Sequence, residues 1–174
     1  MPEPRTDRDV YAAGAARARD RARSTITHLV RDTAGDDAVR ELPIWPGAAT
    51  TEQRPTPRHG LRAALRLRDE ATGHARRFIE ELRGDGASWP DVAAEVRRHD
   101  AGIDEAAVQA VFEEFAAGGL SAFDTAWMSW RCSSCEQRIT DHGPYNPHPS
   151  DIEEGHTADC ERHVADVRTY EQGW

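Results

Sequence analysis

Three cysteines and one histidine near the C-terminus, spaced Cys132-x2-Cys135-x20-His156-x3-Cys160, constrain the fold of this chain more than any other feature. Two cysteines separated by two residues form a tight knuckle that turns both sulfurs toward one metal ion. His156 and Cys160, four positions apart, are predicted to share one side of a helix, started by Ser150, Asp151 and Glu153. Three thiolates and an imidazole make a closed, borderline-soft tetrahedral shell, which points to Zn2+ in a structural role. An odd cysteine count argues against a disulfide framework, and reducing surroundings would leave the thiolates free for metal. His163, three residues after Cys160, is an alternative fourth ligand.

The arrangement resembles Cys3His zinc fingers of the ribbon or finger-like kind, over the residues from Trp130 to Trp174. That resemblance implies a β-hairpin or knuckle followed by a ligand-bearing helix. The stretch AWMSWRC reads as an aromatic strand running into the first cysteines, with Trp127 and Trp130 expected to cover the metal site. The segment EQRITDHGPYNPHPSDIEEG supplies a returning strand and a Pro-rich loop, in which His142 and His148 are expected to be solvent-exposed. Asp141-His142-Gly143-Pro144, with His156 and His163 beyond, also resembles ββα-metal nucleases, although no asparagine position follows a second strand.

Charge separates this module from the rest. Residues 1–50 hold 8 Arg and 8 acids, residues 51–100 hold 10 and 9, and residues 101–174 hold 4 and 14, so the net charges are 0, +1 and −10. An acidic surface repels phosphate backbones, so contact with nucleic acid must come from the first hundred residues. All 22 basic residues are arginine, which with abundant Ala, Asp and Gly suggests a high-GC coding bias of the actinobacterial kind. No apolar run approaches ~20 residues, so no membrane span is expected. The first residues lack the basic-then-apolar order of a secretory signal, and a cytoplasmic location is expected.

The remaining chain reads as helices. Residues 7–32 carry Val10, Gly14, Ala18, Ala22, Ile26 and Leu29 at helical spacing, a narrow stripe suited to close packing against another helix, with a homodimer as one reading. Residues 42–60 hold four prolines and two glycines and read as a linker or extended crossing segment, anchored by Ile44 and Trp45. From Leu61 to Gly84, Leu61, Leu65, Arg68, Thr72, Ala75, Phe78, Ile79 and Leu82 trace one helical face. Ser88-Trp89-Pro90-Asp91 opens a second helix with a capping-box pattern. Asp104 caps a third, with Val108, Val111, Phe112 and Phe115 inward and Gly118-Gly119 at its end.

The expected fold is mainly α: an N-terminal helix (1–41), a Pro-rich linker (42–60), a three-helix domain (61–120) and a zinc-bound β-hairpin and helix module (121–174). Gly86, Ser88, Trp89, Val92 and Ala93 give the middle domain a resemblance to helix-turn-helix DNA-binding domains, which implies that the third helix enters the major groove. That helix departs from the pattern: it carries Asp104, Glu105, Glu113 and Glu114, no basic residue, and only Gln109 to read a base edge. Basic residues lie upstream, with Arg58, Arg62 and Arg66 repeating every four residues and Arg76 and Arg77 following.

The expected function is a non-enzymatic, DNA-associated regulatory or accessory protein that uses these five arginines for duplex DNA. Its acidic zinc module would face a protein partner. One alternative is a protein-interaction module that binds a basic partner without DNA; the other is the metal nuclease.

Overall fold

The structure, a computed structural model, describes residues 7–97, 102–116 and 126–173, with side chains from Ala12 onward. The chain divides into two compact units, Met1–Ala71 and Thr72–Trp174, with the boundary inside a helix. The described residues are mainly helical, with two small antiparallel sheets. Among them no helix is long and apolar enough to cross a membrane.

In the first unit, α1 (Asp7–Ala34) ends where Gly35 takes φ 81°, and a single 3-10 turn leads into β1 (Val39–Pro43). β1 pairs antiparallel with β2 (Thr51–Pro55), in register from Val39 opposite Pro55 to Pro43 opposite Thr51. The segment expected as a linker is therefore partly a hairpin. Its tip closes with Ala48 N–H donating to the Trp45 carbonyl and Ile44 N–H to the Thr50 carbonyl, so the Pro- and Gly-rich stretch serves as a turn between strands. Ile44 and Trp45 do not anchor it to a core: Trp45 is 62% exposed. Arg31 ties the hairpin to α1, donating from Nε to Asp36 Oδ1 (2.7 Å) and from Nη2 to Gln53 Oε1 (2.8 Å). The core here is thin, built on Val30, Ala38 and Ala63.

The long helix α2 (Pro57–Gly84) supplies Ala63 to that core and Ile79, Arg83 and Gly84 to the interior of the second unit. The face expected to be buried along its whole length is not: Leu61 and Phe78 are each 62% exposed, and Leu65 and Leu82 about 40%. Within the first unit the helix buries only Ala63, and within the second only Ile79, Arg83 and Gly84.

In the second unit, α3 (Trp89–Val96) begins with the predicted capping box. Ser88 N–H donates to Asp91 Oδ2 at 2.9 Å, and Asp91 N–H returns to Ser88 Oγ at 3.3 Å. α4 (Glu105–Phe115) is capped by Asp104, whose Oδ1 accepts from Ala107 N–H at 2.8 Å. Val108, Val111, Phe112 and Phe115 face inward as expected, and the Gly118-Gly119 stop lies outside the described residues. β3 (Met128–Arg131) pairs with β4 (Arg138–Asp141), which pairs with the two-residue β5 (Glu153–Glu154) after the short α5 (Pro149–Ile152). The chain closes with α6 (Glu161–Gln172).

The core joins α3 and α4 to this sheet: Trp89, Val92, Ala93, Val111 and Phe112 pack with Met128, Trp130, Cys132 and Ile139. Trp89 and Phe112 meet edge to face at 4.9 Å. Gly143, at φ 81°, lies so close that an added Cβ would fall 2.4 Å from Phe112 Cε1. A side chain at Gly84 would likewise meet the Arg131 carbonyl at 2.5 Å, and the Gly84 carbonyl accepts from Ser133 N–H (3.0 Å) and Oγ (2.9 Å). The end of α2 thus rests directly on the cysteine knuckle.

Candidate metal centre

Cys132 leaves the end of β3, and a turn through Cys135 returns the chain to β4. Glu136, at φ 58°, takes the left-handed conformation that closes it, with its N–H on the Cys132 carbonyl at 2.8 Å. The second ligand pair is built differently from the sequence expectation. His156 and Cys160 do not share a helix: His156 lies in the loop after β5, and Cys160 is the N-cap of α6. Pairing of Thr140 with Glu154 and of Asp141 with Glu153 draws that stretch into the sheet. Gly155, at φ 109°, then turns the chain toward the cysteines.

The four predicted ligands nevertheless converge. Cys132 Sγ, Cys135 Sγ, Cys160 Sγ and a His156 ring nitrogen all lie within 4.8 Å of one another. Cys132 Sγ is 3.9 Å from Cys160 Sγ, and Cys135 Sγ is 3.5 Å from His156 Nδ1. A tetrahedral ion with metal–sulfur bonds of ~2.3 Å and a metal–nitrogen bond of ~2.0 Å requires edges of roughly 3.8 and 3.6 Å. These two edges match those of a metal shell, the other donors lie within 4.8 Å, and Cys3His is a chemistry that holds metal. Cys132 and Cys160 are buried and Cys135 is half-buried. Burial pushes the Cys132 thiol up. At Cys135 burial also pushes upward, but hydrogen bonds from the backbone of Thr157 and Gln137 and from His156 outweigh it and bring the thiol to about 6.

Behind the ligands lies an ion-pair network that sequence reading missed. Glu153 Oε2 is 2.9 Å from His156 Nε2 and 2.5 Å from Arg162 Nη2, while Glu153 Oε1 accepts from Arg83 Nη2 at 2.5 Å. Arg83 reaches Asp141 Oδ2 through Nε and Nη2, both at 2.9 Å. Asp141 also accepts from Trp89 Nε1, Trp130 Nε1 and the Gly143 N–H. One signal was present: strand alternation puts Asp141 on the same inward side of β4 as Ile139. Nothing in the sequence indicated that Arg83 would meet it.

The aromatic cover is half as expected. Trp130 is 3% exposed, with Arg162 stacked on its ring at 4.6 Å, whereas Trp127 is 42% exposed. His163 is outside the four-ligand group and stacks on the His156 ring at 4.5 Å. His142 pairs with Glu154 at 3.5 Å. His148 is not simply solvated: its Nδ1 accepts from Ser150 N–H at 3.2 Å at the start of α5, and its ring lies against Tyr170.

The arginines form no comparable cluster. In α2, Arg58, Arg62, Arg66 and Arg77 are exposed and make no ion pair with a described residue, while Arg76 pairs with Glu80 at 3.1 Å. Arg54 and Arg68 pair with Glu52 and Asp69. The outer face of α4 shows Glu105, Glu113 and Glu114, with Glu113 held by the Tyr145 hydroxyl at 2.9 Å. The chain matches no protein-family model, no curated protein and no solved structure.

Proposed function

We propose that this is a non-enzymatic DNA-associated accessory protein, stapled by structural zinc and working in the reducing cytoplasm, that grips the phosphate backbone through α2. Zinc is the ion that a closed Cys3His shell of these dimensions suits, and four protein ligands leave it no open position for substrate. The observation that carries the DNA reading is the pairing state of the arginines. Arg58, Arg62 and Arg66 recur every four residues, exposed and without a carboxylate partner among the described residues, while neighbouring Arg54 and Arg68 pair with Glu52 and Asp69. Unpaired guanidinium groups on one helix face are what phosphates require. The helix-turn-helix likeness then serves as packing: α4 turns its apolar side inward and an acidic side outward, so contact is with the backbone and not with bases.

A second reading rests on charge. Residues 72–174 hold 20 acids and 9 Arg, a net −11, which suits a basic protein partner. One titration separates the two. Binding of a labelled duplex should weaken steeply with salt, and each of Arg58→Ala, Arg62→Ala and Arg66→Ala should lower the salt slope by about 1. Absence of binding at ~50 mM salt, or a slope that the three variants leave unchanged, would reject the DNA reading in favour of the basic partner.

A further inference from the structure

We infer that Glu153 is the positioning residue of the metal centre: held as a carboxylate by Arg83 and Arg162, it fixes His156 as an Nδ1 ligand. The inference rests on the reading of the Cys3His group as a zinc site, and follows from donor and acceptor counting. Arginine only donates, so a Glu153 that receives Arg83 on Oε1 and Arg162 on Oε2 is an acceptor on both oxygens. Between two guanidinium groups Glu153 is assigned as the carboxylate, which has no proton to give, so its 2.9 Å contact with His156 Nε2 is read as an N–H donated by the imidazole. A neutral imidazole with its proton on Nε2 keeps its lone pair on Nδ1, and Nδ1 is the atom that faces Cys135 Sγ at 3.5 Å. The tautomer that can bind metal is therefore selected before the metal arrives.

The selecting group is itself fixed from the helices. Glu153 is 8% exposed, and Arg83 is held on its far side by Asp141, which is fully buried and receives both Trp89 and Trp130. Arg162 is oriented by its Nη1 bond to the Arg83 carbonyl at 2.9 Å and by its stack on Trp130. A continuous line of contacts thus runs from the end of α2 and the start of α3 to the metal-binding nitrogen. Glu153, His156 and His163 also lie within 4.8 Å of one another, but the hydrogen bonds of Glu153 argue against a second ion there. Glu153 Oε2 already serves two donors, and the two arginines would repel a second cation.

The test combines an NMR measurement on the zinc-loaded full chain with zinc affinities from chelator competition. Long-range 15N correlation on the wild type should show His156 ligated through Nδ1, with a slowly exchanging proton on Nε2. Glu153→Gln should lower zinc affinity about 10- to 100-fold and speed exchange of that proton, while Asp166→Asn, at the outer side of Arg162, should leave affinity within about twofold. Ligation through Nε2 in the wild type overturns the inference whether or not the variant folds, and so does unchanged affinity in a folded Glu153→Gln. Either result leaves the zinc reading standing; failure of the wild type to bind zinc removes both.

Discussion

Arg83 and Asp141, 58 residues apart, meet in the interior of the second unit with two nitrogens of the guanidinium each 2.9 Å from one carboxylate oxygen. Their side chains are 5% and 0% exposed, so neither charge has water to fall back on. The pair joins the end of α2 to the sheet beside the Cys3His group, and Glu153 extends it to His156.

Removing one member of such a pair leaves an uncompensated buried charge. Arg83→Met should therefore destabilise the second unit by about 3–5 kcal/mol, read as a lowered urea midpoint. Replacing Asp141 by Asn should cost less than Arg83→Met, because the amide oxygen still accepts from Trp89 and Trp130.

Gly143→Ala should be strongly destabilising, for two separate reasons. The φ of 81° is unfavourable for any residue with a Cβ, and that Cβ would collide with the buried Phe112 ring. Gly73, inside α2 with nothing near its would-be Cβ, gives the contrast: Gly73→Ala should raise stability by about 0.5–1 kcal/mol. Thermal melts of the two variants should move in opposite directions.

The capping box gives a pH signature. Hydrogen bonds from the Ser88 side chain and backbone hold the Asp91 carboxyl below the ordinary carboxylate range. Because the folded value is lowered, its contribution is fully present above the unfolded value of ~3.9 and is lost as pH falls through the lowered one. Asp91→Asn should melt below the wild type at neutral pH, and the two should converge toward pH ~3.

How much of this could be read in the sequence depends on whether the information was local. The caps at Ser88 and Asp104 were legible because a cap is satisfied within three residues. The ligand set was legible because thiolates and imidazole at that spacing have few other uses. The backbone carrying His156 was not, because Glu153 and Glu154 are drawn into a strand by partners at Asp141 and Thr140, which helical spacing cannot register. The face of α2 was misread for a related reason. Periodicity marks which residues could be buried, but only packing decides that Ile79 is and Leu61 is not. Arg83 and Asp141 were the least visible, since each looks like an ordinary surface charge until the other is in place.

The central claim is that the Cys3His group holds one zinc ion that maintains the second unit. Native mass spectrometry of the full chain, before and after chelation, with circular dichroism on the same samples, tests it most directly. One zinc per chain is predicted, and its removal should be accompanied by loss of helix and sheet signal, because the binding energy of such a site is on the order of ten kcal/mol. A natively folded chain that carries no metal, or one that keeps its full signal after zinc is withdrawn, would contradict the account.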